Sequence, residues 1–173
     1  VPGAIDPLSN LPRQKIWLFS GYNDGTVLRA AMDQVAAYYR HYVSAGNLFY
    51  QTDNRAPHAL ITDDYGGDCL AHNDQYINNC GYDAAGDLLR HIFGHLNPRS
   101  PSPAGQIRTF DQSEFTDGVS PQLIGLAEIG YVYVPSSCAA PSPAQACRVH
   151  VVFHGCRQYA GNPQVNTAVG EHG

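Results

Sequence analysis

Lys15-Ile16-Trp17-Leu18-Phe19-Ser20 is a short apolar run halted by Gly21-Tyr22-Asn23-Asp24-Gly25. A run of this length, stopped by turn-forming residues, predicts a buried strand that ends in a tight turn. From Val27 to about Tyr42, the residues Val27, Ala31, Val35, Tyr38 and Tyr42 recur every three or four positions. That period predicts an amphipathic helix, ended near Gly46. Leu48 to Gln51 follows as a second strand. Strand, helix and strand in so short a span predict a parallel crossover, because parallel neighbours cannot be joined by a hairpin. The fold class expected is α/β, a mostly parallel sheet with flanking helices.

Outward from this unit, Thr52 to Asn79 is polar and rich in Asp, Asn and Gly, which predicts a loop built around Cys69 and Cys80. Asp83 opens a predicted helix through His95, with Leu88, Leu89, Ile92 and Leu96 on one side. Residues 97–105, which include Pro98, read as a linker-like connector within one domain spanning 1–173. Gly130 to Pro135 and Arg148 to Phe153 are β-rich runs on either side of a Cys138/Cys147 loop.

The chain has 173 residues, 43% of them hydrophobic, a composition that fits a folded domain. Ten basic against fifteen acidic side chains give a net charge of −5, with no basic cluster. Nucleic acid is therefore not an expected partner. Apolar stretches such as Val149 to Phe153 are strand-sized, so no membrane-spanning helix and no membrane partner are expected. The five cysteines show no C-x-x-C spacing. They read as two local disulfides, Cys69 with Cys80 and Cys138 with Cys147, leaving Cys156 alone. With Lys15 the single lysine and loops rich in Asn, Gly and Pro, a secreted protein is expected, extracellular or periplasmic. Val1-Pro2-Gly3-Ala4 has neither an initiator Met nor a signal-peptide pattern, so a processed product or a fragment is expected.

Asp24 stands just past a predicted parallel strand, where open α/β sheets gather functional groups. It also fits a cap for the helix that follows. His58, in Pro57-His58-Ala59, stands in the loop after the next strand. Acid, helix, strand, then histidine is the order of the last two members of a Ser, Asp, His triad in α/β-hydrolases. The chemistry needs both, because histidine takes the serine proton while the carboxylate fixes its tautomer. A third segment, Val149 to Gln158, ends a strand-like run in His154-Gly155-Cys156, a pattern suited to an oxyanion amide or, more simply, to a core histidine and half a disulfide.

Together these residues resemble the extracellular poly(3-hydroxybutyrate) depolymerases, particularly their circularly permuted α/β-hydrolase form. The resemblance is carried by Phe19-Ser20-Gly21 to Asp24, Pro57-His58, Thr62-Asp63-Asp64-Tyr65-Gly66, Ile77 to Asp83, Tyr131-Val132-Tyr133-Val134-Pro135 and His154-Gly155-Cys156-x-Gln158. It implies Asp24 as triad acid, His58 as triad base and the Cys156 backbone N–H as an oxyanion donor. It also implies ester hydrolysis of poly(3-hydroxybutyrate), related polyhydroxyalkanoates or their oligomers, without a cofactor. One feature departs from the family: no G-x-S-x-G is present, and Tyr42-Val43-Ser44-Ala45-Gly46, the nearest string, lies between a helix and a strand rather than the reverse. The expectation is a partial catalytic domain, truncated at both ends, whose serine lies outside the chain and which is inactive by itself. The further N- and C-terminal segments of the same domain are its expected partners.

Rival readings remain at this level. A feruloyl or acetyl-xylan esterase would carry the same triad pieces, and a hydrolase-like module without a serine would bind polymer or a partner without cleaving it. His91 and His95 are spaced to share a metal, yet no Glu follows His91 and no third ligand is evident. Asp63, Asp64, Asp68 and Asp74 lack the spacing and terminal Glu of a calcium loop.

Overall fold

The computed structural model describes residues 6–72, 76–102, 104–139 and 146–155. They form two compact units that divide between Asn97 and Pro98.

In the first unit a 3-10 turn (Leu8–Arg13) precedes β1 (Ile16–Phe19), which is followed by α1 (Arg29–Arg40) and β2 (Leu48–Gln51). The two strands pair in parallel, Ile16 opposite Leu48 and Phe19 opposite Gln51. The helix starts two residues later than its periodicity suggests, because Thr26 and Val27 are engaged by a side chain of the preceding turn. Ala36 and Val43 are the hydrophobic residues of this region that become buried, and Ser20 is buried with them.

The polar stretch after β2 is not plain loop. It contains β3 (Leu60–Thr62), β4 (Gly67–Asp68) and β5 (Ile77–Asn79), a parallel sheet in the order β3, β5, β4. Strands of two or three residues show no alternation to read, and these are held by polar groups instead. Asn78 is fully buried, and its Nδ2 donates to the carbonyls of Asp68 at 2.7 Å and Ala71 at 2.8 Å. A disulfide joins Cys69 to Cys80 beside them.

Helix α2 (Ala84–Phe93) is capped by Asp83, whose carboxylate accepts from the Gly86 N–H at 2.8 Å. Arg90, one to two turns on, donates to Asp83 at 3.0 Å and also reaches Asp87. The helix packs on β1 and β3. Its Ala84 joins Ala56 and Ile61 in a small buried core, against which Trp17, Phe19, Ala59, Cys80 and Tyr82 are packed. Side-chain alternation along β1 thus sends Trp17 and Phe19 to the α2 face, where their rings stack.

The second unit contains an antiparallel pair, β6 (Gly105–Asp111) with β7 (Ile129–Pro135). A second disulfide joins Cys138 to Cys147. Residues 148–153 differ from their expected strand: they carry no regular structure, and Val149 and Phe153 are 80% and 84% exposed. β-propensity expresses packing against neighbours on a sheet, and no neighbouring strand lies beside this run among the described residues.

The short loop closed by Cys69 and Cys80 gives a first prediction. Replacing both cysteines by alanine lowers unfolding free energy by about 3 kcal/mol, the loop-closure entropy of a loop this short. Chemical denaturation measures it, and an unchanged midpoint would show that the bridge contributes nothing.

Candidate active site

The carboxyl ends of β1 and β2 lie side by side because the strands are parallel and in register, so the loops leaving them start next to each other. The ladder closes with Ser20 N–H donating to the Gln51 carbonyl at 3.0 Å. Beyond it the two loops remain joined. Tyr22 N–H donates to the Asn54 carbonyl at 2.8 Å, Asn23 N–H to the Ala56 carbonyl at 3.2 Å, and the Asn23 side chain to the Arg55 carbonyl at 2.6 Å.

Two sequence features permit this approach. Gly21 has no side chain where a Cβ would stand 2.1 Å from the Ala56 carbonyl oxygen, so only glycine lets the backbones meet. Pro57 biases the preceding Ala56 toward extended backbone, and the Asn54 side chain accepts from the Ala56 N–H at 2.9 Å.

At the end of these loops, His58 Nδ1 lies 2.9 Å from Asp24 Oδ2. The other carboxylate oxygen accepts from the backbone N–H groups of Thr26 at 2.9 Å and Val27 at 2.8 Å. An ionised carboxylate only accepts, so the imidazole proton sits on Nδ1 and Nε2 is left as the acceptor. Asp24 is shielded, its side chain 11% exposed, whereas that of His58 is 38% exposed. Partial burial pushes the Asp24 carboxyl up. The hydrogen bonds from His58, Val27 and Thr26 outweigh it and hold the group below the ordinary aspartate range. The Tyr76 ring stands edge-on to the imidazole with centroids 6.3 Å apart.

The other residues singled out from sequence fall elsewhere. Cys156 lies outside the described residues; before it, His154 Nδ1 contacts its neighbour's carbonyl, Gly155 O, at 2.8 Å on an exposed segment. Ser44 is exposed and immediately precedes a 3-10 turn, Ala45–Asn47, rather than standing at a strand-to-helix elbow. His91 Nε2 lies 3.1 Å from the Asn47 carbonyl, beside a cavity of about 230 Å³ lined by Trp17, Phe49, Asp87 and His91. That cavity includes neither Asp24 nor His58. Sequence reasoning passed over Arg29, whose Nη2 donates to the Ser20 carbonyl at 2.8 Å and the Thr52 carbonyl at 3.0 Å. An arginine in the first turn of an amphipathic helix carries no distinguishing signal.

Parallel strands flanked by helices, with a carboxylate beside an imidazole past adjacent strand ends, fit a fold of the α/β-hydrolase class. Within that class it is related by sequence and fold to the poly(3-hydroxybutyrate) depolymerases. It is 42% identical over 164 residues to the poly(3-hydroxybutyrate) depolymerase of Delftia acidovorans, covering 94% of this chain and 32% of that one. It is 38% identical over 158 residues to the polyhydroxybutyrate depolymerase of Talaromyces funiculosus, covering 89% of this chain and 44% of that one. The crystal structure of a PHB depolymerase from Penicillium funiculosum superposes with a TM-score of 0.82 at 34% identity, over 95% of this chain and 51% of that one. A PHB depolymerase with a serine-to-alanine substitution, complexed with an R3HB trimer, superposes at 0.84 with 34% identity, over 97% and 52%. The chain thus spans between a third and about half the length of these relatives. No family model matches it.

Two predictions follow from the loop geometry. Gly21→Ala forces a methyl group into the Ala56 carbonyl, costs about 1–3 kcal/mol as overpacking does, and separates Asp24 from His58. Thermal unfolding together with a structure of the variant checks both effects; a variant of unaltered stability with the 2.9 Å contact intact would refute it. Asp24→Asn alters the acid limb of stability. Because the folded carboxyl titrates lower than the unfolded one, the unfolded chain binds more protons between the two values. The Asp24 contribution is complete above the ordinary aspartate range and is lost as pH falls through the depressed range. Unfolding free energy measured against pH should therefore fall less steeply there in Asp24→Asn than in the unaltered chain.

Proposed function

We propose that this chain supplies the acid and the base of a secreted serine esterase that hydrolyses poly(3-hydroxybutyrate), related polyhydroxyalkanoates or their oligomers. The observation that carries the reading is the 2.9 Å contact between His58 Nδ1 and Asp24 Oδ2, from loops that leave adjacent parallel strands. The relationship to PHB depolymerases, one of them complexed with an R3HB trimer, supports the substrate class.

In this reading His58 is the general base and Asp24 the group that orients it. The free Nε2 takes the proton of a serine hydroxyl as its oxygen attacks the ester carbonyl. The imidazolium formed is stabilised by the Asp24 carboxylate, then gives its proton to the departing alcohol as the C–O bond breaks. Water attacks the resulting acyl-enzyme by the same route, releasing the hydroxyacid and restoring serine and neutral His58. The negative oxygen of each tetrahedral intermediate needs backbone donors, and the Cys156 N–H is proposed as one of them. No cofactor enters these steps. No serine of the 173 residues stands in G-x-S-x-G, so the nucleophile is assigned to a segment outside them. The two disulfides fit the secreted setting.

The test uses a longer chain that joins these residues to a strand-borne G-x-S-x-G, assayed with 3-hydroxybutyrate oligomers and a short-chain nitrophenyl ester. The longer chain turns over both and the 173 residues alone turn over neither. His58→Ala and Asp24→Asn each lower kcat by roughly 10⁴-fold, the loss typical of a triad member. Activity that survives His58→Ala would contradict the reading.

A further inference from the structure

We propose that Arg29 is a positioning residue for the Asp24 and His58 pair, acting through the two strand ends from which their loops depart. The proposal rests on the reading of that pair as a proton relay and deepens it.

Past the last ladder bond the carbonyls of Ser20 and Thr52 have left the β1–β2 ladder. They mark the roots of the loops that carry Asp24 and His58. One nitrogen of Arg29, Nη2, donates to both, at 2.8 Å and 3.0 Å. A terminal guanidinium nitrogen carries two N–H groups, so it serves two acceptors at once, and its charge strengthens each bond. The cation is itself held by rings on both sides of the junction. Its central carbon lies 5.5 Å from the centroid of Tyr22, in the Asp24 loop, and 5.9 Å from that of Tyr50, in β2. The Tyr50 hydroxyl in turn donates at 3.0 Å to Asp33, one turn along α1 from Arg29.

The arrangement fixes three things relative to one another: the end of β1, the end of β2 and the first turn of α1. Asp24 lies between the first and the third, and His58 follows the second. Arg29 touches neither carboxylate nor imidazole in any bond described above, so its action on them passes through the backbone. Lysine could reach one or both carbonyls but offers no planar face to the two tyrosines.

The experiment follows the His58 Nδ1 proton by NMR in the 173-residue chain labelled with ¹⁵N-histidine. The unaltered chain shows a slowly exchanging Nδ1–H resonance from His58, which Asp24→Asn removes. In Arg29→Met, which removes both bonds, its exchange with water rises by at least about tenfold, the factor that loss of a single charge-assisted hydrogen bond brings. Arg29→Lys gives a smaller rise and also serves if Arg29→Met does not fold. Val43→Ala, a truncation of a buried side chain outside both the Ala56 core and the junction, lowers the unfolding temperature and leaves the exchange rate unchanged. Exchange in the folded Arg29 variants equal to that of the unaltered chain, or an equal rise in Val43→Ala, overturns the proposal. Absence of a protected resonance in the unaltered chain instead overturns the relay reading, and the proposal with it.

Discussion

The Asp24 carboxylate is the interaction on which the site depends, because its two oxygens serve different ends. One accepts from the amides of Thr26 and Val27 and so fixes the turn between β1 and α1. The other meets His58. A carboxylate held by a single hydrogen bond could swing about its own bond. Clamped by two amides, it presents the second oxygen in one direction, which is the pre-organisation that a relay needs if the imidazole is to stay in one tautomer. The same bonds hold the group ionised despite its shielding.

Beyond their roots, where Arg29 bridges the Ser20 and Thr52 carbonyls, the two loops meet without large side chains. The approach is made by small residues, Gly21 against Ala56, and by backbone bonds from Tyr22 and Asn23 to Asn54 and Ala56. The buried core of Ala56, Ile61 and Ala84 begins at that same Ala56, so the loop that carries His58 is anchored to the sheet and to α2 at once. Packing therefore fixes one side of the junction, and polar contacts fix the other. Truncation of a core side chain reaches the site through Ala56 and Ala59, whereas a change in the turn acts on it directly.

Much of this was legible in the sequence. The bounds of β2 and the Asp83 cap of α2 follow from composition and capping chemistry, because a short apolar run and an N-terminal Asp have few structural alternatives. The meeting of Asp24 with His58 followed from chain order alone, since parallel strands joined by a helix put their following loops at one edge. Asp24 is not the cap of α1 that its position suggested, since Leu28 holds the N-cap place without a side-chain bond; one Asp24 oxygen holds the turn before the helix and the other meets histidine. What could not be read has identifiable causes. Strands β3, β4 and β5 are too short to show a period, and their stabilisation lies in the buried Asn78 and the Cys69–Cys80 bridge. Strand β6 starts inside a segment read as a connector, at Gly105 after several prolines. Arg148 to Phe153 has the composition of a strand, but composition does not supply a partner. Arg29 was invisible because its role depends on two carbonyls from distant parts of the chain.

The central claim is that the Nε2 of His58, left free by the bond to Asp24, faces a nucleophilic serine. A crystal structure of these residues joined to the G-x-S-x-G segment tests it most directly. The account predicts a serine Oγ within about 2.6–3.2 Å of His58 Nε2, with Nδ1 still on Asp24. Well-ordered density in which Nε2 faces solvent or another side chain, with the serine elsewhere, would contradict it.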